Sequence, residues 1–594
     1  MVNDIVTEAD IVVAGGGASG CVLASRLAAA DPSLTVLILE AGPATRDDLS
    51  HIQPARFLSH LVPGSRTVKI YVGEESADLG GRPAIVPCGQ CLGGGSSVNA
   101  AMYTRPSASD YDDWETVYGN DGWGSNSLIP LLRKMETYQL KSHSDTHGSS
   151  GPLKISQGGY FTNLGEQFLD VAAKYDKTRS VTDDPNGMRE SSINVYGRWQ
   201  KYIDVESGRR SDVPHNYIYN HDFPNLHIMT GNHVKRVVFE DNRAVGVEYV
   251  SSGAQVVRLA RANRLVVVSA GAFGSPAILE RSGVGKRSLI TGLGIPIISD
   301  LPGVGENYQD HIITFAQYHV AEDAETLDNF MRGDSLEIEK WTAQWEKDGS
   351  GFIAHNSIDA GVKLRPSTAE LEAIGPAFSQ RWSEYFAHAP DKPLILRYLG
   401  GQPADPGRKY LTMGCYVQYP NSAGYTHINS AHDVDGAPTF NPRYLSGADD
   451  VALLRWGYKF CREIARRMPS YRGEFVAGHP IFPQNSQAAC HPEGSPTAVS
   501  DPNIQYMEED NKAIDEYTRS GVTTIWHSMG TCAMKAREMG GVVDSQLNVY
   551  GVERLKVADM SIAPANVSAN TYSTAVVIGE KAATIILKDL NIGV

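Results

Sequence analysis

The stretch IVVAGGGASG, residues 11–20, sets Gly15, Gly17 and Gly20 in GxGxxG spacing directly behind an apolar run. Residues 10–15 (DIVVAG) predict a fully buried strand, residues 18–29 an α-helix, and residues 34–39 (LTVLIL) a second buried strand. A strand, a helix and a parallel strand so closely spaced make a right-handed βαβ unit. In that setting Gly15 allows the tight turn, Gly17 lets the backbone approach a pyrophosphate, and Gly20 lets helix and strand pack closely. Ala18 and Ser19 open the helix, whose free amides and dipole favour an anion. Glu40, at the end of the second strand, is placed to accept hydrogen bonds from ribose hydroxyls. Together these residues predict dinucleotide binding, without distinguishing a flavin from a nicotinamide.

Two further α/β blocks follow. VKRVVFEDNRAVGVEYV, from Val234, alternates on both sides of Asp241–Asn242 and reads as a hairpin, and RLVVVS (264–269) reads as another buried strand. Near the C-terminus a short strand, LKVA (555–558), precedes a helix from about Ser573 to Leu590. The expected organisation is a cofactor domain built from residues 1–142, 226–311 and 521–594. Residues 143–225 and 312–520, rich in Pro, Gly, Asn and aromatics, form a second, discontinuous domain over it. At 594 residues the chain is too long for one ordinary core, which agrees.

Bulk properties narrow the function. A formal net charge of −15, with no basic stripe, argues against a nucleic-acid partner. No apolar run is long enough to span a bilayer. The acidic N-terminus lacks a signal-peptide pattern, so the cytoplasm is the expected compartment, with unconventional export left open. Seven cysteines do not read as a disulfide framework, and Cys88 and Cys91 form an isolated CxxC better read as two buried thiols than as a metal pair. No metal site is expected.

The stretch CGQCLGGGSSVNAAMYTR (88–105) resembles the first signature of the glucose–methanol–choline (GMC) oxidoreductases, and GAFGSPAILERSG (271–283) resembles the second. LPGVGENYQDH (301–311), IWHSMGTCAM and VSANTYSTAVVIGEKAA match the same family in order. Within it, AIVPC (84–88), MYTRPSASDYDDW (102–114) and SGRRSD (207–212) look most like the fungal alcohol oxidases of the methanol type. The resemblance implies an α/β chain with a Rossmann-like FAD-binding domain of separated segments and a discontinuous α+β substrate domain. It implies FAD as cofactor, with a primary alcohol and dioxygen as small-molecule partners. A homo-oligomer is the candidate assembly.

The glycine-serine loop suits a flavin on its own chemistry, because small residues can press amides against a phosphate or a flat ring. The resemblance puts Gly93, Gly94, Ser97 and Asn99 along the cofactor, Val234 against adenine through its backbone, and Asp559 and Thr571 near the flavin. Without the resemblance, Asp559 reads equally as an N-cap.

Alcohol oxidation removes a hydroxyl proton and a carbon-bound hydride, so a base is needed beside a dry ring face. The motif match selects His527 as base, one of 17 histidines that residue chemistry alone would not separate. Asn570 is its partner, a neutral amide able to hold the substrate oxygen without competing for the proton; its bland reading is the N-cap of the last helix. Trp526 is expected to wall the pocket. Tyr103 and His311 are candidates for support behind the pair.

Two departures bear on specificity and location. Methanol-type relatives carry a bulky aromatic after the asparagine of GGGSSxN, whereas this chain has Ala100, which points to an alcohol larger than methanol. The sequence also lacks the peroxisomal tripeptide of the yeast enzymes. The alternatives at this stage are a dehydrogenase using a quinone or dye, a flavin-containing hydroxynitrile lyase, and a cofactor-binding protein without turnover.

Overall fold

The computed structural model describes residues 6–141, 145–253, 256–400 and 407–593. Residues 1–5 of the acidic N-terminal stretch, the boundary expected between 142 and 143, and Val594 lie outside them.

Two large sheets carry the chain. The first has seven strands, and its centre is the apolar run that opens the sequence. Glu8–Ala14 pairs in parallel with Val36–Glu40 on one side and with Val257–Val268 on the other. Both central strands are buried on both faces, which is why they read as continuous apolar runs rather than as alternation. Leu226–Thr230 adds in parallel to Val36–Glu40, and Leu555–Val557 adds in parallel to Val257–Val268. The hairpin Asn232–Glu240 and Arg243–Ser251 turns at Asp241, whose φ is +53°.

The sequence reading departs from this sheet in two places. The strand expected at 264–269 begins at Val257, because its first half alternates polar and apolar and pairs antiparallel with the hairpin. Leu226–Thr230 was not anticipated; it is a half-buried edge strand, LHIMT, with no clear period.

The helix Ala18–Ala30 and the terminal helix Tyr572–Asp589 pack together against this sheet. Their crossing is close because Gly579 faces the fingerprint helix. A Cβ there would sit 2.7 Å from Ser19 O and 2.8 Å from Val22 Cβ.

The second sheet has eight strands, and its middle is the antiparallel set Ile312–Val320, Tyr410–Val417, Ile395–Gly400 and Ile358–Leu364. Leu411, Met413, Cys415 and Val417 face one way, into a core that includes the helix Ala448–Ala465. Thr412 and Tyr416 face the other way, into a cavity shared with the first sheet. Thr523–Thr524, inside the expected C-terminal cofactor segment, pairs with Ile312–Ile313 of this second sheet. No helix among the described residues is long and apolar enough to cross a membrane.

Gly579→Ala is expected to cost about 1–3 kcal/mol, the usual penalty for forcing a methyl into a filled interface. A thermal midpoint equal to that of the parent protein would contradict this account of the helix crossing.

Candidate active site

A cavity of about 600 Å³ runs between the two sheets. Its walls join the fingerprint, the glycine-serine loop, the hairpin and the His527–Asn570 region.

At the fingerprint, Gly15 has a φ of +109°, and a Cβ on it would lie 2.4 Å from Ser269 O. Gly20 does not line the cavity; a Cβ there would lie 2.3 Å from Gly15 O, so it serves helix–strand packing. Gly17 caps the helix without a side-chain partner, and the nearest atom to its missing Cβ is 3.8 Å away. Gly15, Gly17, Ala18 and Ser19 all face the cavity, so the helix N-terminus opens onto it. Glu40 also lines the cavity while its carboxylate accepts from the Gly16 and Gly42 amides, each at 2.8 Å. Burial pushes its pKa up against the pull of those amides.

The loop after Cys91 turns at Gly94–Ser97 and lies against the fingerprint: a Cβ on Gly94 would be 3.1 Å from Gly17 Cα. Gly94, Gly95, Ser96, Val98, Asn99 and Ala100 line the cavity. Two expectations need correction. Ser97 is buried off the cavity, its hydroxyl 2.8 Å from Asp212 Oδ2 and 3.0 Å from Leu92 O. Gly93 is also off the wall; with φ +88°, its missing Cβ would meet Ser97 Oγ at 2.3 Å and Pro214 Cγ at 2.4 Å. Both shape the loop from behind, while Gly95 and Ser96 of the same glycine-serine loop face inward.

Val234 lines the far end of the cavity. Asp559 lines it too, but as an N-cap: Oδ1 accepts from Ser561 N at 2.7 Å, and Oδ2 accepts from Gly271 N at 2.9 Å and Ser275 Oγ at 2.6 Å. Cys88 and Cys91 are free thiols on the same wall, and burial raises the pKa of each. Glycine-lined walls, an open helix N-terminus and a carboxylate at one end fit a long dinucleotide such as FAD.

The reactive end is built around His527. Asn570 Nδ2 lies 3.3 Å from His527 Nε2, and His311 Nδ1 lies 2.7 Å from His527 Nδ1. The Thr104 hydroxyl accepts from Asn570 N at 2.6 Å and donates to Asn570 Oδ1 at 3.0 Å; Tyr416 OH approaches the same oxygen at 3.4 Å. With its oxygen so engaged, Asn570 presents its NH2 to the imidazole. An amide NH2 can only donate, so His527 Nε2 accepts, and Nδ1 carries the proton toward His311. That tautomer leaves the basic nitrogen on the cavity side. Burial, and then His311, hold the His527 pKa well below the ordinary imidazole value, and burial lowers His311 to about 4.

Asp310 positions both rings. Its Oδ1 accepts from His311 N at 2.7 Å and His527 N at 2.9 Å, and its Oδ2 accepts from Thr524 Oγ1 at 2.5 Å and Tyr444 OH at 2.7 Å. Trp526, between Thr524 and His527, lines the cavity with a φ of +67°, a conformation held by the hydrogen bond its backbone N–H donates to Thr524 Oγ1. Thr571 rather than Asn570 is the N-cap residue of the terminal helix, which frees the Asn570 side chain for the pair. Tyr103 stands apart, donating to Glu136 at 2.7 Å. Asp310, Thr104 and Tyr416 escaped the sequence reading; the first is the acid of the quoted NYQDH stretch and the second lies in the quoted MYTR, while Tyr416 carried no signal.

Glu474, His479 and Cys490 form the one other group of metal-ligand types among the described residues. Arg462 already neutralises Glu474 at 2.6 Å, and both His479 nitrogens are taken by Tyr458 OH and Gln317 O, so this cluster reads as core packing.

The GMC oxidoreductase family matches residues 9–313, and its C-terminal part matches residues 420–579. The chain is a GMC oxidoreductase. It is similar to the alcohol oxidase of Pichia angusta, 39% identical, with 99% of this chain and 96% of that protein covered. An oxygen-dependent choline dehydrogenase of Escherichia coli is 30% identical over 97% of this chain and 95% of its own length. Among solved structures, an FAD-dependent oxidoreductase from Chaetomium thermophilum superposes with a TM-score of 0.81 at 27% identity, covering 98% of this chain and all of that one.

Because His527 is held unprotonated, kcat/KM is expected to stay flat as pH falls from 8 to 6.5 and to drop only when the imidazole takes a proton, well below 6.5. An acid limb centred at or above 6.5 in a pH–rate profile would contradict the buried, neutral assignment.

Proposed function

We propose that this GMC oxidoreductase, an FAD-dependent alcohol oxidase, converts a primary alcohol larger than methanol into its aldehyde, with His527 as the base. The observation that carries the reading is the polar grouping of His527 and Asn570 on the wall of a cavity whose other end suits a dinucleotide. Gly15, Gly17, Ala18, Ser19 and Glu40 would hold the pyrophosphate and ribose, Val234 the adenine, and Gly94, Ser96 and Asn99 the ring system. Bound FAD supplies a two-electron carrier, so that the balance is RCH2OH and O2 to RCHO and H2O2.

The protein's own part is proton transfer and orientation. The substrate hydroxyl would replace the hydrogen bond between Asn570 Nδ2 and His527 Nε2, the amide then donating to its oxygen and the freed Nε2 taking its proton. A neutral imidazole can do this without first losing a proton. Once protonated at Nε2, His527 keeps its Nδ1–H on His311 Nδ1, which fixes the ring, and the imidazolium is stabilised by the alkoxide developing beside it. Met102, Phe315, Ile358 and Tyr416 wall this end, so the carbinol is held away from bulk water.

Ala100 lines the cavity among Met102, Ile358 and Tyr416. The methanol-type relatives carry a bulky aromatic at this place, and a methyl leaves more of the cavity to the substrate.

His527→Ala is expected to slow anaerobic bleaching of the flavin by alcohol about a hundredfold or more. A stopped-flow rate within threefold of the parent's would remove His527 from the mechanism. Under air, stoichiometric peroxide marks the oxidase, and its absence with a dye acceptor active would mark a dehydrogenase. Across methanol, butanol and benzyl alcohol, kcat/KM should rise above its value for methanol; a steep preference for methanol would refute the size assignment.

A further inference from the structure

Two hydroxyls on the cavity wall have no hydrogen-bond partner: Ser357 Oγ and Thr412 Oγ1. Both residues are more than nine-tenths buried, Ser357 at 8% exposure and Thr412 at 2%. Buried hydroxyls are nearly always paired, so two orphans on one wall call for a ligand group.

Their placement relative to the base is set by the sheet. Thr412, Gly414 and Tyr416 share one face of the strand Tyr410–Val417, and Tyr416 OH reaches Asn570. Four residues of strand put Thr412 about 13 Å from Tyr416. Between them stands Gly414, opposite Phe315, which also lines the cavity. Across the sheet, Ile358 pairs with Gly400 and Gly400 with Thr412, which puts the start of the Ile358 strand two strand spacings, about 10 Å, from Thr412.

Ser357 precedes that strand in a turn that is firmly held. Its φ is +63°, its amide donates to His355 Nδ1 at 3.1 Å, and its neighbour Asn356 donates to Ala100 O at 2.7 Å. Such a backbone conformation is costly for a residue with a Cβ and persists where surrounding contacts impose it, typically at a ligand site. The Asn356 bond ties the turn to Ala100, the position where this chain has the smaller residue.

We propose that the Ser357 and Thr412 hydroxyls are hydroxyl-binding positions on the wall of the substrate cavity, Thr412 lying four strand residues beyond Tyr416. The preferred substrates are then primary alcohols that carry a second hydroxyl several carbons from the oxidised one. The bulk of the chain lies along Phe315 and Ile358, and the distal hydroxyl pairs with Thr412 Oγ1 or, at a different chain length, with Ser357 Oγ. This rests on the alcohol oxidase reading above and specifies its substrate class.

The test is kcat/KM for α,ω-diols against n-alkanols of matched length, from butyl to decyl, using the yellow holoenzyme and the variants Thr412→Val and Ser357→Ala. Valine has the shape of threonine, so that variant removes the hydroxyl alone. The diol-to-alkanol ratio is expected to exceed about tenfold at the fitting length and to fall by about tenfold in Thr412→Val, the scale of one hydrogen bond. A smaller fall in the same direction is expected in Ser357→Ala. Alkanols oxidised as well as diols at every length, or a ratio unmoved by both substitutions, would overturn the subsite and leave the alcohol oxidase standing. Failure of every alcohol to bleach the flavin would overturn the underlying reading instead.

Discussion

A single buried carboxylate, Asp310, holds the reactive end of this enzyme together. A charge or dipole withdrawn from water costs free energy unless it is fully hydrogen-bonded, and burial raises the Asp310 pKa accordingly. The protein offsets that cost by surrounding the group with donors. Two are the backbone amides of His311 and His527, and others are the hydroxyls of Thr524 and Tyr444. Satisfying one carboxylate therefore brings two chain segments, more than two hundred residues apart in sequence, into register. The imidazole pair is a consequence of that registration.

From the pair outward, donor and acceptor roles propagate without ambiguity. Thr104 and Tyr416 occupy the Asn570 oxygen, so its NH2 faces His527; the imidazole must then accept at Nε2 and donate at Nδ1. The low pKa of both histidines comes first from desolvation between the two sheets, to which His311 adds a second lowering at His527. The same burial that keeps His527 neutral makes its two ring partners, His311 and Asn570, matter.

Along the cavity the two ends differ in what builds them. The cofactor end is mostly backbone: glycines at 15, 17 and 94, and a helix N-terminus. The substrate end is side chain, contributed by the face of an antiparallel sheet. Backbone sites depend on residues whose side chain is absent, which explains why Gly20 and Gly93 matter without touching the cavity. Side-chain sites can be resized by one substitution.

Much of the first sheet was legible in the chain because its strands are short apolar runs punctuated by glycine. The roles of Gly15, Gly17 and Gly20 follow from local sterics that a linear motif records. The second sheet was not legible: Ile312–Val320 and Tyr410–Val417 are buried on both faces, and a run such as YLTMGCYV has no period to read. Ser97 was misplaced because motif proximity cannot say which of two adjacent serines turns inward. Sequence by itself determined the nucleotide-binding unit and the family and singled out His527 and Asn570 as candidates, all of which depend on local order or motif. Only the tertiary structure decided the tautomer of the base, the role of Asp310 and the wall hydroxyls of Ser357 and Thr412. Those follow from contacts between segments far apart in the chain, where hydrogen-bond geometry and burial, rather than spacing, set the chemistry.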